Sequence, residues 1–196
     1  MGVKELVQQI EQIYFNQRVD VLWEPIEDDT IADYQAVEGA SDILLDAFEQ
    51  QLEIKLPASM RELYRYKNGS EMLEIFCLDE EAFRLMSLEE ILQTKEYFQD
   101  RDLLWEEVGD LYDPDELKNL DERIQPYLFH KRWIPFATLG NALYLMLDYA
   151  PAPKGKQGQI ILYVHDPDFI YYIAEDIEPV LSESLEEIRE ICTSPQ

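Results

Sequence analysis

Apolar residues recur at helical spacing near the start of the chain, where Val3, Leu6, Val7, Ile10, Ile13 and Tyr14 fall on one stripe. The period is lost across residues 21–40, which read as a loop containing Trp23-Glu24-Pro25. It returns at Ser41, a fitting N-cap, and runs to about Leu52 with Ile43, Leu44, Ala47 and Phe48 as its apolar stripe. A third helix is predicted over 56–67, with Met60, Leu63 and Tyr64 on one face. Pro57 stands at its first position, where the missing N–H does no harm. Asn68-Gly69 closes it through a residue at positive φ.

Beyond Gly69 the pattern changes. Residues 72–78 and 83–86 read as short strands. Ser87-Leu88-Glu89-Glu90 is a capping box that starts a helix to about Gln99. Asp113-Pro114-Asp115-Glu116 is a second helix start, and that helix is predicted to reach about Ile124. Four strands follow at 133–138, 142–148, 159–165 and 170–174. Gly140-Asn141, the Pro/Gly/Lys loop at 149–158 and Asp166-Pro167-Asp168 separate them. Connections this short demand antiparallel pairing. A final helix is predicted over 184–192. The class is therefore α+β, with one antiparallel-rich sheet and the 41–52 and 56–67 helices packed against it.

Composition sharpens this picture. The 196 residues hold 46% hydrophobic and 12% aromatic residues, ample for a core. Sixteen bases against 42 acids give a formal charge of −26. Phosphate backbones and anionic membranes would be repelled, so neither nucleic acid nor membrane is an expected ligand. A basic protein partner is the natural complement, and solubility alone is the plain alternative. Residues 24–53 carry ten acids and no Lys or Arg, and residues 74–122 carry seventeen acids against four bases. The helix between them holds Arg61, Arg65 and Lys67. A charge run is usually a solvated face, but this alternation points to a polarised molecule that orients a charged partner. Glu27, Asp28, Asp29, Asp110, Asp113, Asp115 and Glu116 are the candidate partner-binding residues.

Motifs for chemistry are sparse. The chain has no nucleophile elbow, zinc-protease motif, phosphate loop or dinucleotide fingerprint. Cys77 and Cys192 do not make a disulfide framework and read as small structural residues. His130 and His165 stand far apart in sequence, and His165-Asp166-Pro167-Asp168 reads as a turn before it reads as a metal site. Asp113 and Asp115 lack the Gly and terminal Glu of a calcium loop. No enzyme activity, cofactor or metal is expected. Tyr163, Tyr171, Tyr172 and Trp133 fill the core at alternate strand positions, and any that face outward would make a recognition patch. No signal core or apolar run of membrane-spanning length is evident, so the cytoplasm is the default.

The ordered pair of helices around Leu56-Pro57 and Asn68-Gly69 resembles the opening of the SUKH superfamily. The likeness continues at Ser87-Leu88-Glu89-Glu90-Ile91, Trp133-Ile134-Pro135-Phe136-Ala137, Gly140-Asn141, Leu147-Asp148, Gly158-Gln159-Ile160-Ile161, His165-Asp166 and Ile173-Ala174. Each piece is weak alone, but their order is specific. Ser70 stands where members often carry a second Gly. The resemblance implies a domain over 41–196 with an acidic helical insertion at about 97–130, preceded by a 1–40 extension. Leu56, Pro57, Asn68, Gly69, Trp133, Pro135, Asp148 and Gly158 are its architectural residues. It further implies a non-enzymatic binder. The expected function is an immunity protein that occludes a basic, possibly nuclease, toxin; the alternative is a regulatory or scaffold protein of cell-wall synthesis.

Overall fold

Helix α1 (Val3–Gln17) buries Val3, Leu6, Val7, Ile10 and Tyr14, the stripe that the spacing predicts, and draws Glu11 in beside them. The structure, a computed structural model, describes residues 1–17, 25–77, 81–98, 102–107, 118–140, 142–165 and 169–193. They form two units, Met1–Ser87 with Asp176–Gln196, and Leu88–Glu175.

The first unit contains α1, α2 (Asp28–Ala36), α3 (Asp42–Leu52), α4 (Ala58–Tyr66), the antiparallel strands β1 (Ser70–Cys77) and β2 (Glu81–Leu85), and the closing helix α6 (Ile177–Thr193). Helix α6 packs on β1 and on α1, and α1 also meets α4. Val180, Leu181, Leu185 and Ile188 form the buried face of α6. From it, Ser184 Oγ accepts the Phe76 N–H at 3.0 Å, a bond between residues 108 apart in sequence.

Residues 28–36 form α2, not loop. Tyr34 is its one buried residue, so a nine-residue helix leaves no apolar period to read. In α3 the buried residues are Leu45, Phe48 and Glu49; Ile43, Leu44 and Ala47 face solvent. Helix α4 starts at Ala58 with Pro57 as its N-cap, and it ends at Tyr66 with Lys67 already extended at φ −145°. Gly69 does adopt positive φ, +83°, but it turns the chain into β1 rather than capping the helix. Finally, α6 begins at Ile177 and not at 184. Pro179 lies in its first turn, where proline is tolerated.

The second unit holds α5 (Leu88–Phe98), a short ribbon of β3 (Leu103–Leu104) and β4 (Tyr127–Phe129), and strands β5 (Trp133–Leu139), β6 (Leu143–Asp148), β7 (Gln159–Val164) and β8 (Phe169–Ala174). These four strands pair antiparallel in chain order, as the turn spacing predicts. Helix α5 packs against β5. Residues of β5, β6 and β7 are buried almost without interruption, so they read as continuous apolar runs. Pro135 lies in β5 beside a register shift between Pro135 and Ala137, a position where a strand tolerates a missing donor. The ribbon was not foreseen, because two- and three-residue strands carry no period. Residues 118–124 form turns, so the helix predicted to reach Ile124 does not extend that far. The pairs β1–β2, β3–β4, β5–β6, β6–β7 and β7–β8 are all antiparallel, and the class is α+β.

Candidate functional site

The resemblance residues of the second unit gather on one carboxylate. Asp148, at the end of β6, is wholly buried. Its Oδ1 accepts Trp133 Nε1–H at 3.0 Å and the Ala150 N–H at 2.7 Å. Its Oδ2 accepts Gln159 Nε2–H at 3.0 Å. Gly158, at φ +81°, gives its N–H to the Asp148 carbonyl at 2.8 Å. Gln159 also donates to the Arg123 carbonyl and accepts from the Lys156 N–H, each at 3.0 Å, which ties the 149–158 loop to the 121–124 turn. Burial pushes the Asp148 carboxyl up to about 6, against the opposing hydrogen bonds from Ala150, Gln159 and Trp133. Three donors and no access to solvent make this a structural carboxylate that holds β5, β6 and β7 in register.

The predicted basic helix of the first unit spends its charge internally. Arg61 lies 2.9 Å from Glu49, 3.0 Å from Asp46 and 3.2 Å from Asp42. Arg65 pairs with Asp42 at 2.6 Å. Glu49 also takes Lys55 at 2.7 Å and the Leu56 N–H at 3.1 Å. Burial disfavours the Glu49 charge, yet these bonds from Lys55, Arg61 and Leu56 hold its carboxyl below the usual range. Hydrogen bonds from Arg65 and Arg61 do the same for Asp42. Asp42, Asp46 and Glu49 recur at helical spacing, so the ion pairs fix which side of α3 faces α4.

The acids of α2 have a different setting. Glu27, Asp28, Asp29 and Asp33 are exposed. Glu27 is the N-cap without a side-chain capping bond, and Asp28 and Asp29 lie in the first turn, where negative charge suits the helix dipole. No Lys or Arg occurs between Glu24 and Glu53. Asp110, Asp113, Asp115 and Glu116 lie outside the described residues.

A buried polar node anchors α2. Glu11 accepts Tyr34 O–H at 2.5 Å and Tyr66 O–H at 2.6 Å. Lys67 donates to the carbonyls of Tyr34 at 2.9 Å and Val37 at 3.0 Å, and sits 4.2 Å from the Tyr34 ring centre. Burial, then the Glu11 hydrogen bond and charge, raise the Tyr34 phenol well above its ordinary range and push Tyr66 up to about 12. Burial lowers the Lys67 ammonium. The sequence reading missed this node; a Tyr in a polar stretch and a Lys just past a helix were its faint signals. Tyr34→Phe is expected to cost about 1–3 kcal/mol, because the buried Glu11 loses a donor. A urea unfolding midpoint checks this, and an unchanged midpoint would mean that solvent replaces the hydroxyl.

Beside the node, a cavity of about 250 Å³ opens among α1, α2 and β1, lined by Tyr14, Ile26, Thr30, Met72 and Glu74 among others. Tyr14 O–H donates to Glu74 at 3.3 Å. A neighbouring cavity of about 220 Å³ shares Thr30, Glu71 and Met72 and adds Asp33 and Tyr34. Their mixed acidic and apolar lining suits an amphipathic basic side chain better than a neutral metabolite.

The candidate reactive groups sit elsewhere. Cys77 is buried, and its thiol is pushed up to about 12 by burial and then by Glu187, Glu183 and Glu81. His130 is buried, its ring lowered by burial, and its Nδ1 accepts the Arg132 N–H at 3.0 Å. His165 is exposed, with Nδ1 3.5 Å from Tyr163 Oη. Of the four aromatics singled out in the last strands, Trp133 and Tyr163 are buried, Tyr171 is exposed and Tyr172 is intermediate. The Arg123 guanidinium lies 3.2 Å from the Tyr172 ring centre. Among the described residues no helix is long and apolar enough to cross a membrane.

The chain that builds this α+β arrangement matches a known family in sequence. Residues 39–183 match the SMI1 / KNR4 family (SUKH-1), and the chain belongs to it. Its relatives include the cell wall biosynthesis/cell cycle regulator smi1 of Schizosaccharomyces pombe, 30% identical over 156 residues, which cover 69% of this chain and 28% of that protein. The cell wall assembly regulator SMI1 of Saccharomyces cerevisiae is 36% identical over 63 residues, 32% of this chain and 12% of that protein. A KNR4/SMI1 homolog 2 of Debaryomyces hansenii is 40% identical over 55 residues, 28% of this chain and 9% of that protein. The matched segments thus span less than a third of these curated relatives.

Proposed function

We propose that this chain is a non-enzymatic binding protein of the cytoplasm that holds a basic protein partner against the acidic face of α2. The carrying observation is the exposed set Glu27, Asp28, Asp29 and Asp33 within a thirty-residue stretch free of Lys and Arg. A chain of charge −26 attracts a basic surface over a Debye length and repels phosphate. The partner of choice is a toxin domain, neutralised by covering its active surface as an immunity protein does. A nuclease domain suits this reading, since it must be basic to hold nucleic acid. A second reading has a specific observation behind it: three relatives carry names tied to cell wall regulation or to KNR4/SMI1. In that reading the same face docks a basic component of cell-wall synthesis.

The test is co-purification with the products of adjacent genes, followed by titration at low and high salt. The combined variant Glu27→Gln, Asp28→Asn, Asp29→Asn is expected to slow association at least tenfold at low salt and to flatten the salt dependence. Amide residues are chosen so that α2 keeps its polar first turn. A toxin partner assigns immunity, and a cell-wall enzyme or its regulator assigns the second reading. An association rate unmoved by both salt and the triple variant would remove α2 as the binding face.

A further inference from the structure

The ion pairs that fix α3 leave an unusual surface on its far side. Asp42, Asp46 and Glu49 face Arg61, while Leu45 and Phe48 enter the core. The opposite side therefore carries Ile43, Leu44 and Ala47, followed by Gln50 and Gln51, all exposed. Ile43 is 83% exposed and Leu44 is 45% exposed, two of five large hydrophobics in that state among the described residues. Single exposed apolar residues are ordinary, but Ile43 and Ala47, four apart on one ridge, form a patch with Leu44 on the neighbouring one.

The patch starts near the C-terminal end of α2, and Glu27, Asp28 and Asp29 stand at the other end of that helix. The C-terminal end of α4 is the common strut: Lys67, its C-cap, holds the carbonyls of Tyr34 and Val37 at the end of α2, and Arg65 holds Asp42 at the start of α3. The link between α2 and α3 is fastened to the same place, with Ala40 N–H on the Tyr64 carbonyl at 2.7 Å and Asn68 N–H on the Glu38 carbonyl at 3.2 Å. The first turn of α3 and the end of α2 thus flank one turn of α4. An apolar centre edged by carboxylates is the plan of a protein-binding surface, with the centre setting dissociation and the rim setting approach.

We propose that the exposed ridge of α3, centred on Ile43 and Leu44, is the apolar centre of the docking surface, and that its occupant is a basic amphipathic helix of the partner. This rests on the reading of a basic partner given above. A convex ridge of residues four apart packs into the groove between ridges of another helix, and the small Ala47 lets the two backbones approach. The partner helix presents leucine-like side chains to Ile43 and Leu44. Its flanking lysines or arginines meet Glu38 and the α2 carboxylates.

Two synthetic helical peptides test this. They carry the same lysines, but one has a leucine stripe and the other has serine at those positions. Each is titrated by fluorescence anisotropy against the full chain, against Ile43→Ser with Leu44→Ser, and against the α2 triple variant. The leucine peptide is expected to bind the unaltered chain at least tenfold more tightly than the serine peptide. The Ile43→Ser, Leu44→Ser variant should erase that difference while keeping the salt-dependent remainder. The α2 variant should weaken both peptides by a similar factor. Equal binding of the two peptides, or a leucine preference that survives the serine substitutions, overturns the ridge proposal. Salt-dependent binding of both peptides alike would do so while leaving the acidic face in place. Binding of neither peptide at low salt would overturn the basic-partner reading as well. Ile43 is mostly exposed and Leu44 is about half covered, so circular dichroism should match the unaltered chain and the melting midpoint should fall by no more than about 2–4 °C; a larger fall would place Ile43 and Leu44 in internal packing and overturn the proposal.

Discussion

Replacing Asp148 with alanine is expected to destabilise the protein by about 3–5 kcal/mol, the largest effect of any single substitution outside the apolar core. The change orphans the Trp133 indole N–H, the Ala150 N–H and the Gln159 amide together. Each buried donor left unpaired costs about 1–3 kcal/mol. The carboxyl also leaves a pH signature. Its folded value is raised to about 6 by burial, whereas the unfolded carboxyl titrates in the ordinary range. Between those values the folded state holds a proton that the unfolded state has released. Stability from this group is therefore fully present below about pH 4, falls as pH rises to about 6, and is level above that. The swing is about 3 kcal/mol. Asp148→Asn lacks the titration, so the difference between the two proteins isolates it from carboxylates shifted the other way, such as Asp42 and Asp121. Urea midpoints measured between pH 4 and 7.5 provide the check. A difference that does not change with pH would mean that Asp148 titrates normally.

Gly69→Ala is expected to cost about 2–4 kcal/mol, combining left-handed strain with overpacking. At φ +83° an added Cβ would stand 2.5 Å from Ser87 N and 2.7 Å from Ser87 Cα, both backbone atoms that cannot swing aside. Gly140 supplies the control. It has φ +59° with nothing within 4 Å of an added Cβ, so Gly140→Ala should cost only the strain, about 1–2 kcal/mol. Thermal or urea unfolding of both variants separates the two contributions. Equal losses would show that the Ser87 backbone yields.

The strands and most helices were legible because burial leaves a period or an apolar run. Four consecutive strands between clear breakers allowed one pairing order, and β5 to β8 follow it. What was illegible depends on partners distant in sequence. Nothing within the α3 sequence says which of two apolar stripes turns inward; the ion pairs of Asp42, Asp46 and Glu49 with Arg61 decide it, and they place Ile43 outside. Helix α2 was missed because its fastening is polar, through Tyr34, Glu11 and Lys67. Gly69 was read correctly for its dihedral and wrongly for its role, since a glycine before a strand and one after a helix look alike. The resemblance residues Trp133, Asp148 and Gly158 were legible as a set, but their convergence on one carboxylate needed the register of β5, β6 and β7. Of the proposed binding residues, Glu27, Asp28 and Asp29 were placed on an exposed face. Charge runs are readable; their neutralisation by a neighbouring helix is not.

The pairing of α1 with α6 has a consequence for synthesis on the ribosome. Helix α1 ends at Gln17 and its packing partner ends at Thr193, so the first helix emerges long before the surface that buries it. At about 5–20 residues per second, the wait is roughly 10–35 seconds. The second unit, Leu88–Glu175, is by contrast one unbroken stretch of the chain. The nascent chain therefore holds an open first unit while the second one follows, and α1 has α4 but not α6 to pack on in the interval. A message truncated before the last helix would leave the side of α1 that α6 covers without its partner.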